Sequence, residues 1–108
     1  MKIVRWIGAS KRKVKDFPDQ AREEAGHQIW QVQCGKDPDD WKPMPAIGKG
    51  AKEIRIHKPH EHRVIYVAQF PEAIYILHAF EKKTKQTSHL DIEIARSAYA
   101  KIKEIRKN

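Results

Sequence analysis

Two arginines, a short lysine run and a group of histidines carry most of the reactive chemistry in this 108-residue chain. Arg55 lies in the apolar run Glu53–His57, Arg63 opens a second run, Arg63–Gln69, and Lys82, Lys83 and Lys85 follow a third, Ala73–Phe80. Arginine holds a permanent charge on a rigid fork of donors, which suits it to phosphoryl oxygens and carboxylates alike. Arg63 starts a strand otherwise given over to the core, so its cation needs a phosphate, a carboxylate such as Glu53 or Glu61, or solvent. His57, His60 and His62 lie on or near one turn, and imidazoles titrate close enough to neutrality to carry protons. His57 is the best placed of them because strand parity puts it on the side of Arg55. The spacing His57-x-x-His60-x-His62 also admits a zinc triad. Pro59 within the turn, Lys58 beside it and the lack of a nearby cysteine argue against that, and no metal or other cofactor is expected. His78, flanked by alternating apolar residues, reads as a buried, hydrogen-bonded histidine. His89 and Tyr99 lie where a final helix could bring them near the same face, with Tyr99 also on that helix's packing stripe.

The wider charge distribution points the same way. The net charge is +8, and residues 1–15 contain six Lys or Arg and no acid. A small domain with grouped positive charge gains binding free energy on a polyanion by releasing condensed counterions. Lys11, Arg12 and Lys13 therefore join Lys85, His60 and His62 as expected nucleic-acid contacts, although an acidic protein would fit the same patch. No apolar run approaches the roughly 20 residues needed to span a bilayer, and no apolar signal core follows the first basic residues, so a cytoplasmic protein is expected. The length suits one domain, residues 1–108. Cys34 is the single cysteine and has no CxxC partner.

The elements that must position these groups follow from periodicity. Lys2–Ile7 alternates as a first strand and Gly8 ends it. Ser10 can cap a short basic helix, Lys11–Asp16, which Pro18 stops. Asp19 reads as the next N-cap, and Ala21, Ala25, Ile29 and Val32 form the core stripe of a helix over Asp19–Cys34. Gly26 costs that helix about 1 kcal/mol relative to alanine, which suggests a close packing contact there. Gly35–Ala51 holds three prolines and three glycines and reads as a long loop pinned by Trp41, Met44 and Ile47. The three apolar runs make an antiparallel meander, apolar on both sides of its inner strands and therefore covered on both. Ser88 with Asp91 starts a final helix whose stripe is Leu90, Ile94, Ala98, Tyr99, Ile102 and Ile105. The fold class is α+β, in the order β-α-α-β-β-β-α. Two N-terminal helices cover one face of a curved antiparallel sheet and the C-terminal helix partly covers the other.

That order, with KEIRIH at 52–57, HRVIYVA at 62–68, IYILHAFEKKTKQT at 74–87 and DIEIA at 91–95, resembles the RelE/ParE superfamily of type II toxin–antitoxin toxins. The likeness is nearest to its phage-derived HigB-like branch. The resemblance implies a ribosome-dependent, metal-independent endoribonuclease that cleaves mRNA and is silenced by a cognate antitoxin, often one bearing a helix-turn-helix repressor. It places the catalytic cations on Arg55, Arg63, Lys82 and Lys83. RNA cleavage needs no cofactor, because the adjacent 2′-OH attacks phosphorus. The protein orients that hydroxyl, stabilises charge and moves two protons, and His57 is the proton carrier expected beside the arginines. The chain has no tyrosine just after the basic loop, where some relatives carry a catalytic one. Two other readings stand beside this one: a ParE-like toxin that poisons gyrase by binding, and a non-enzymatic nucleic-acid-binding domain.

Overall fold

The computed structural model describes residues 1–107. Eight elements follow one another: β1 (Ile3–Trp6), α1 (Ser10–Lys15), α2 (Asp19–Gln33), β2 (Trp41–Pro43), β3 (Ala51–Ile56), β4 (His62–Val67), β5 (Ala73–Glu81) and α3 (His89–Lys107). The strands form one five-stranded sheet in the order β1-β5-β4-β3-β2. Strands β2 to β5 are antiparallel neighbours, whereas β1 runs parallel to β5, so the sheet is mixed rather than wholly antiparallel. Such pairing needs a long crossover. Everything from α1 to β4 supplies it.

Both faces are covered, as apolar residues on both sides of β4 and β5 demand. On one face Val14, Phe17, Ala21, Ala25, Ile29 and Val32 of the N-terminal helices meet Ile54, Ile56, Val64, Tyr66, Ile74 and Ile76. On the other, Ala95, Ala98 and Ile102 of α3, with Met44 and Ile47, pack on Ile65, Val67, Tyr75 and Leu77. Two of the three facing residues of α3 are alanines, so its backbone lies close to the sheet. Leu90 and Ile105, expected in that stripe, are instead 68% and 42% exposed. Among the described residues no helix is long and apolar enough to cross a membrane.

Local expectations are corrected at four places. Ser10 does not cap α1 from outside; it is the first helical residue, buried, and its hydroxyl donates to Ile76 O at 3.1 Å. Pro18, not Asp19, holds the N-cap position of α2, and Asp19 pairs with Arg22 inside the first turn. Gly26 makes no close approach, since a Cβ there would meet nothing within 4 Å. Part of the 35–51 loop is the strand β2, whose Trp41 ring lies 4.4 Å beneath the Lys52 ammonium. Met44 and Ile47 do pin the remainder, both buried.

Candidate functional site

The register of β3 and β4 sets the geometry. Arg55 lies directly opposite Arg63, and directly paired residues of antiparallel strands share a face. The two cations nevertheless meet different surroundings. Arg63 is 2% exposed. Its Nη2 donates to Glu61 Oε1 at 2.9 Å, its Nη1 donates to the His62 carbonyl at 3.0 Å, and its Nε lies 3.5 Å from Glu53 Oε1. Glu53 is wholly buried, and its Oε2 accepts from the Thr87 hydroxyl at 3.0 Å. A carboxylate inside a sheet persists only with a matched cation, and stripping one member of such a pair costs about 3–5 kcal/mol. The fork expected to meet a phosphate is therefore spent on the protein's own carboxylates.

Arg55 stays half-exposed at the end of β3. Its amide donates to the Asp40 carbonyl at 2.9 Å and its guanidinium lies 3.9 Å from the Asp40 carboxylate. Next along, His57 bridges two acids: Nε2 contacts Asp40 Oδ2 at 2.5 Å and Nδ1 contacts Glu61 Oε2 at 2.9 Å. A ring with an acceptor at each nitrogen is satisfied only as the doubly protonated imidazolium. The hydrogen bond to Asp40, then that to Glu61, accordingly raises the His57 pKa. The same contacts hold Glu61 below the usual carboxylate range, His57 first and Arg63 second. Glu53, Arg63, Glu61, His57, Asp40 and Arg55 thus form one chain of alternating charge across the ends of β3 and β4.

Lys82 stands at the end of β5, where its amide donates to the Glu61 carbonyl at 2.7 Å. Its ammonium is pushed below the ordinary lysine range, first by partial burial and then by Arg63, with Lys42 and Arg55 adding to the effect and Glu53 opposing it. Lys82 and Lys42 are half-buried, while Lys83 and Lys85 are exposed on the loop beyond. Lys82 and His57 thus stand at the same end of the sheet, on opposite sides of β4, with their proton affinities shifted in opposite directions by the groups around them.

Other expected residues lie elsewhere. His62 is not a surface residue of the turn. It begins β4, is 1% exposed, packs against Phe17 with ring centroids 4.5 Å apart, and donates from Nδ1 to the His60 carbonyl. No nucleic acid reaches a ring so placed. His60 is exposed. Lys11 and Arg12 are exposed on α1, but Lys13 turns inward, its Nζ 3.4 Å from His78 Nδ1. His78 is buried and hydrogen-bonded, its Nε2 2.8 Å from Asp91. Tyr99 packs half-buried and donates to Lys49 O at 2.7 Å, while His89 is solvent-facing. Asp40, Lys42 and Thr87 are the members that reading along the chain did not single out. Asp40 contacts His57 across 17 positions and Thr87 contacts Glu53 across 34, separations at which no local periodicity operates.

The model of the family described as phage-derived protein Gp49-like (DUF891) matches residues 12–100. No curated protein matches the chain.

Proposed function

Because this chain belongs to the phage-derived Gp49-like family, part of the RelE/ParE-like toxin superfamily, we propose that it is an mRNA-cleaving toxin of the HigB-like kind. It acts on ribosome-bound message, is held in check by a cognate antitoxin, and works in the cytoplasm. The observation that carries this reading is the convergence of Lys82, Arg55 and His57 at one end of the sheet, with Lys82 made more acidic and His57 more basic.

In the mechanism the scissile phosphodiester lies across the ends of β3 and β5. Lys82, in the fraction that is the free amine, accepts the proton of the 2′-OH as that oxygen attacks phosphorus. Arg55, reoriented from its 3.9 Å contact with Asp40, stabilises the charge gathered on the non-bridging oxygens. His57, held as imidazolium, must turn its Nε2–H away from Asp40 and gives that proton to the departing 5′ oxygen while Nδ1–H stays on Glu61. The products are a 2′,3′-cyclic phosphate and a 5′-hydroxyl, and with the 2′-OH as nucleophile these side chains supply every proton transfer the step requires. Arg63 touches no substrate. It is a positioning residue that fixes Glu61, and through Glu61 the His57 ring. Lys83, Lys85, His60, Lys11 and Arg12 supply further charge along the RNA path.

The test is tightly controlled expression with mapping of cleavage in translated messages, together with cleavage of mRNA on purified programmed ribosomes. Site-specific cuts that Lys82→Ala and Arg55→Ala each reduce by at least about a hundredfold, with the fold intact, are expected. Intact messages accompanied by double-strand DNA breaks overturn the nuclease reading in favour of a gyrase poison.

A further inference from the structure

We propose that the cavity between the end of α2 and the adjoining ends of β3 and β4 binds a nucleoside monophosphate, its base at the Tyr66 hydroxyl and its phosphate on Lys2 and Lys36. The cavity lies at the far end of these strands from the candidate catalytic cluster, since Lys52 precedes His57 by about five residues, or ~17 Å of strand. It does not depend on the toxin reading.

Tyr66 and Lys52 are directly paired across β4 and β3 and so share a face of the sheet. It is the face that α2 covers, where Tyr66 packs with Ile29 and Val32. The helix ends at Gln33, and Gly35, at φ +87°, turns the chain away. The cover therefore runs out over the last residues of β4, leaving a cavity of about 360 Å³ walled by Val32, Tyr66 and Ala68. Tyr66 is 1% exposed, yet among the described residues its hydroxyl has no hydrogen-bond partner. A phenol so buried ordinarily finds one. Burial first, and the charge of Asp37 second, hold this phenol above its ordinary range. It therefore remains a neutral O–H, able to donate to an acceptor. Asp37 itself lines the cavity, so the hydroxyl that feels its charge stands at the cavity end of the ring.

The rest of the lining selects the ligand. Lys2 is half-buried, and its Nζ donates to the Ala68 carbonyl and, at 2.8 Å, to the Phe70 carbonyl. An ammonium has a third N–H to give, and among the described residues no carboxylate pairs with it. Lys36, exposed at the rim, likewise has no carboxylate partner among them. Asp37 is already matched by Lys52, 3.0 Å away. The charge left over at the cavity is thus that of two ammonium groups, which suits a phosphate. Gln33 and Gln69 spend their amide N–H groups on the Lys2 and Lys49 carbonyls and keep their side-chain oxygens as acceptors. One hydroxyl donor beside two amide acceptors matches the mixed polar edge of a nucleobase. A fatty carboxylate offers the amide oxygens nothing, and inorganic phosphate leaves the apolar wall unfilled. The volume is that of a small-ligand site.

The experiment titrates the isotopically labelled full chain with each of the four nucleoside 5′-monophosphates, with the corresponding nucleosides and with inorganic phosphate. At least one nucleotide is expected to shift the Gly35, Lys36, Gly50 and Lys52 amides saturably, about tenfold more tightly than its nucleoside or phosphate alone. Tyr66→Phe keeps the ring and removes only the hydroxyl, and should weaken that nucleotide about tenfold. Lys36→Ala, at an exposed position, should weaken it by a similar factor. The amide resonances of the core strands report that both variants are folded. No saturable shift by any of the four below about 10 mM, equal binding to Tyr66→Phe, or phosphate alone binding as tightly as the nucleotide overturns the proposal. So does a nucleotide whose shifts vanish in Lys82→Ala, because it then occupies the candidate catalytic cluster. A 5′-phosphorylated trinucleotide separates two sources of the same chemistry. Tighter binding than the mononucleotide at these amides makes the occupant an RNA end, equal or weaker binding makes it a free nucleotide, and either supports the site. Failure to cleave mRNA overturns the toxin reading alone and leaves nucleotide binding at this cavity standing.

Discussion

Glu61 is the residue on which the candidate site turns, because it touches both the buried arginine and the exposed histidine. Removing its charge is expected to lower the His57 pKa and to free one arm of Arg63. Nuclear magnetic resonance titration of His57 in Glu61→Gln checks the first effect, and a pKa unchanged from the native protein would show that Asp40 alone sets it. Proton transfer makes a related demand on pH. If His57 is the acid and Lys82 the base, the rate rises as Lys82 loses its proton and falls as His57 loses its own. His57→Gln should then abolish the falling limb, with a residual rate lower by about 10²–10⁴, while leaving the rising one. Arg63 calls for a different experiment, because Arg63→Ala leaves Glu53 buried without its cation and costs about 3–5 kcal/mol. Replacing Arg63 and Glu53 together with apolar residues of similar size should recover most of that loss in urea unfolding. Cleavage by the double variant then reports on positioning rather than on folding.

At the scale of elements, two glycines that look alike along the chain have opposite meanings. Gly26 sits in the interior of α2 with open space where a Cβ would go. Gly26→Ala is therefore expected to stabilise the protein by about 0.5–1 kcal/mol in chemical denaturation. Gly48 faces the Tyr99 ring, three of whose carbons would lie within 2.7 Å of an added Cβ. The ring is tied to the same loop through the bond from its hydroxyl to Lys49 O, so Gly48→Ala should cost about 1–3 kcal/mol by overpacking. The far end of α3 is held by a different device. Glu72 accepts from Tyr75 at 2.7 Å and from Arg106 at 2.8 Å, and these bonds, Tyr75 first, lower its pKa to about 2. A carboxylate depressed in this way stabilises the fold above its unfolded value near 4.5 and loses that contribution as pH falls through about 2. The α3 terminus should accordingly loosen in acid before the sheet does.

For the whole molecule, two histidines bracket the pH range of stability from opposite sides. His78 is lowered, chiefly by burial, with Lys13 lowering it further and Asp91 opposing both. Its unfolded form takes up a proton first, so stability declines as pH falls below about 6.5. His57 is raised by Asp40 and Glu61, so its contribution is present below that value and is lost as pH rises through the folded one. Urea midpoints at about pH 5, 6.5 and 8.5 should therefore pass through a maximum in the middle of the series. His78→Gln should flatten the acid side and His57→Gln the alkaline side.

What the amino-acid sequence determined by itself was the set of elements and their faces. Apolar residues at two-residue or three-to-four-residue spacing bury one side of a strand or helix whatever else the chain does. The meander, α2, α3, the buried His78 and the packing of Met44 and Ile47 were legible on that ground, as was the facing of Arg55 and Arg63 once the strands were paired. Tertiary structure alone decided that β1 joins β5 in parallel, that Trp41–Pro43 becomes an edge strand, and that Arg63 spends its charge on Glu53 and Glu61. It also decided that Asp40 closes on His57. The physical reason is range: hydrophobic periodicity is a property of neighbours along the chain. Whether a cation ends in solvent, on a phosphate or against a carboxylate depends on which distant groups the completed sheet carries to within 4 Å of it.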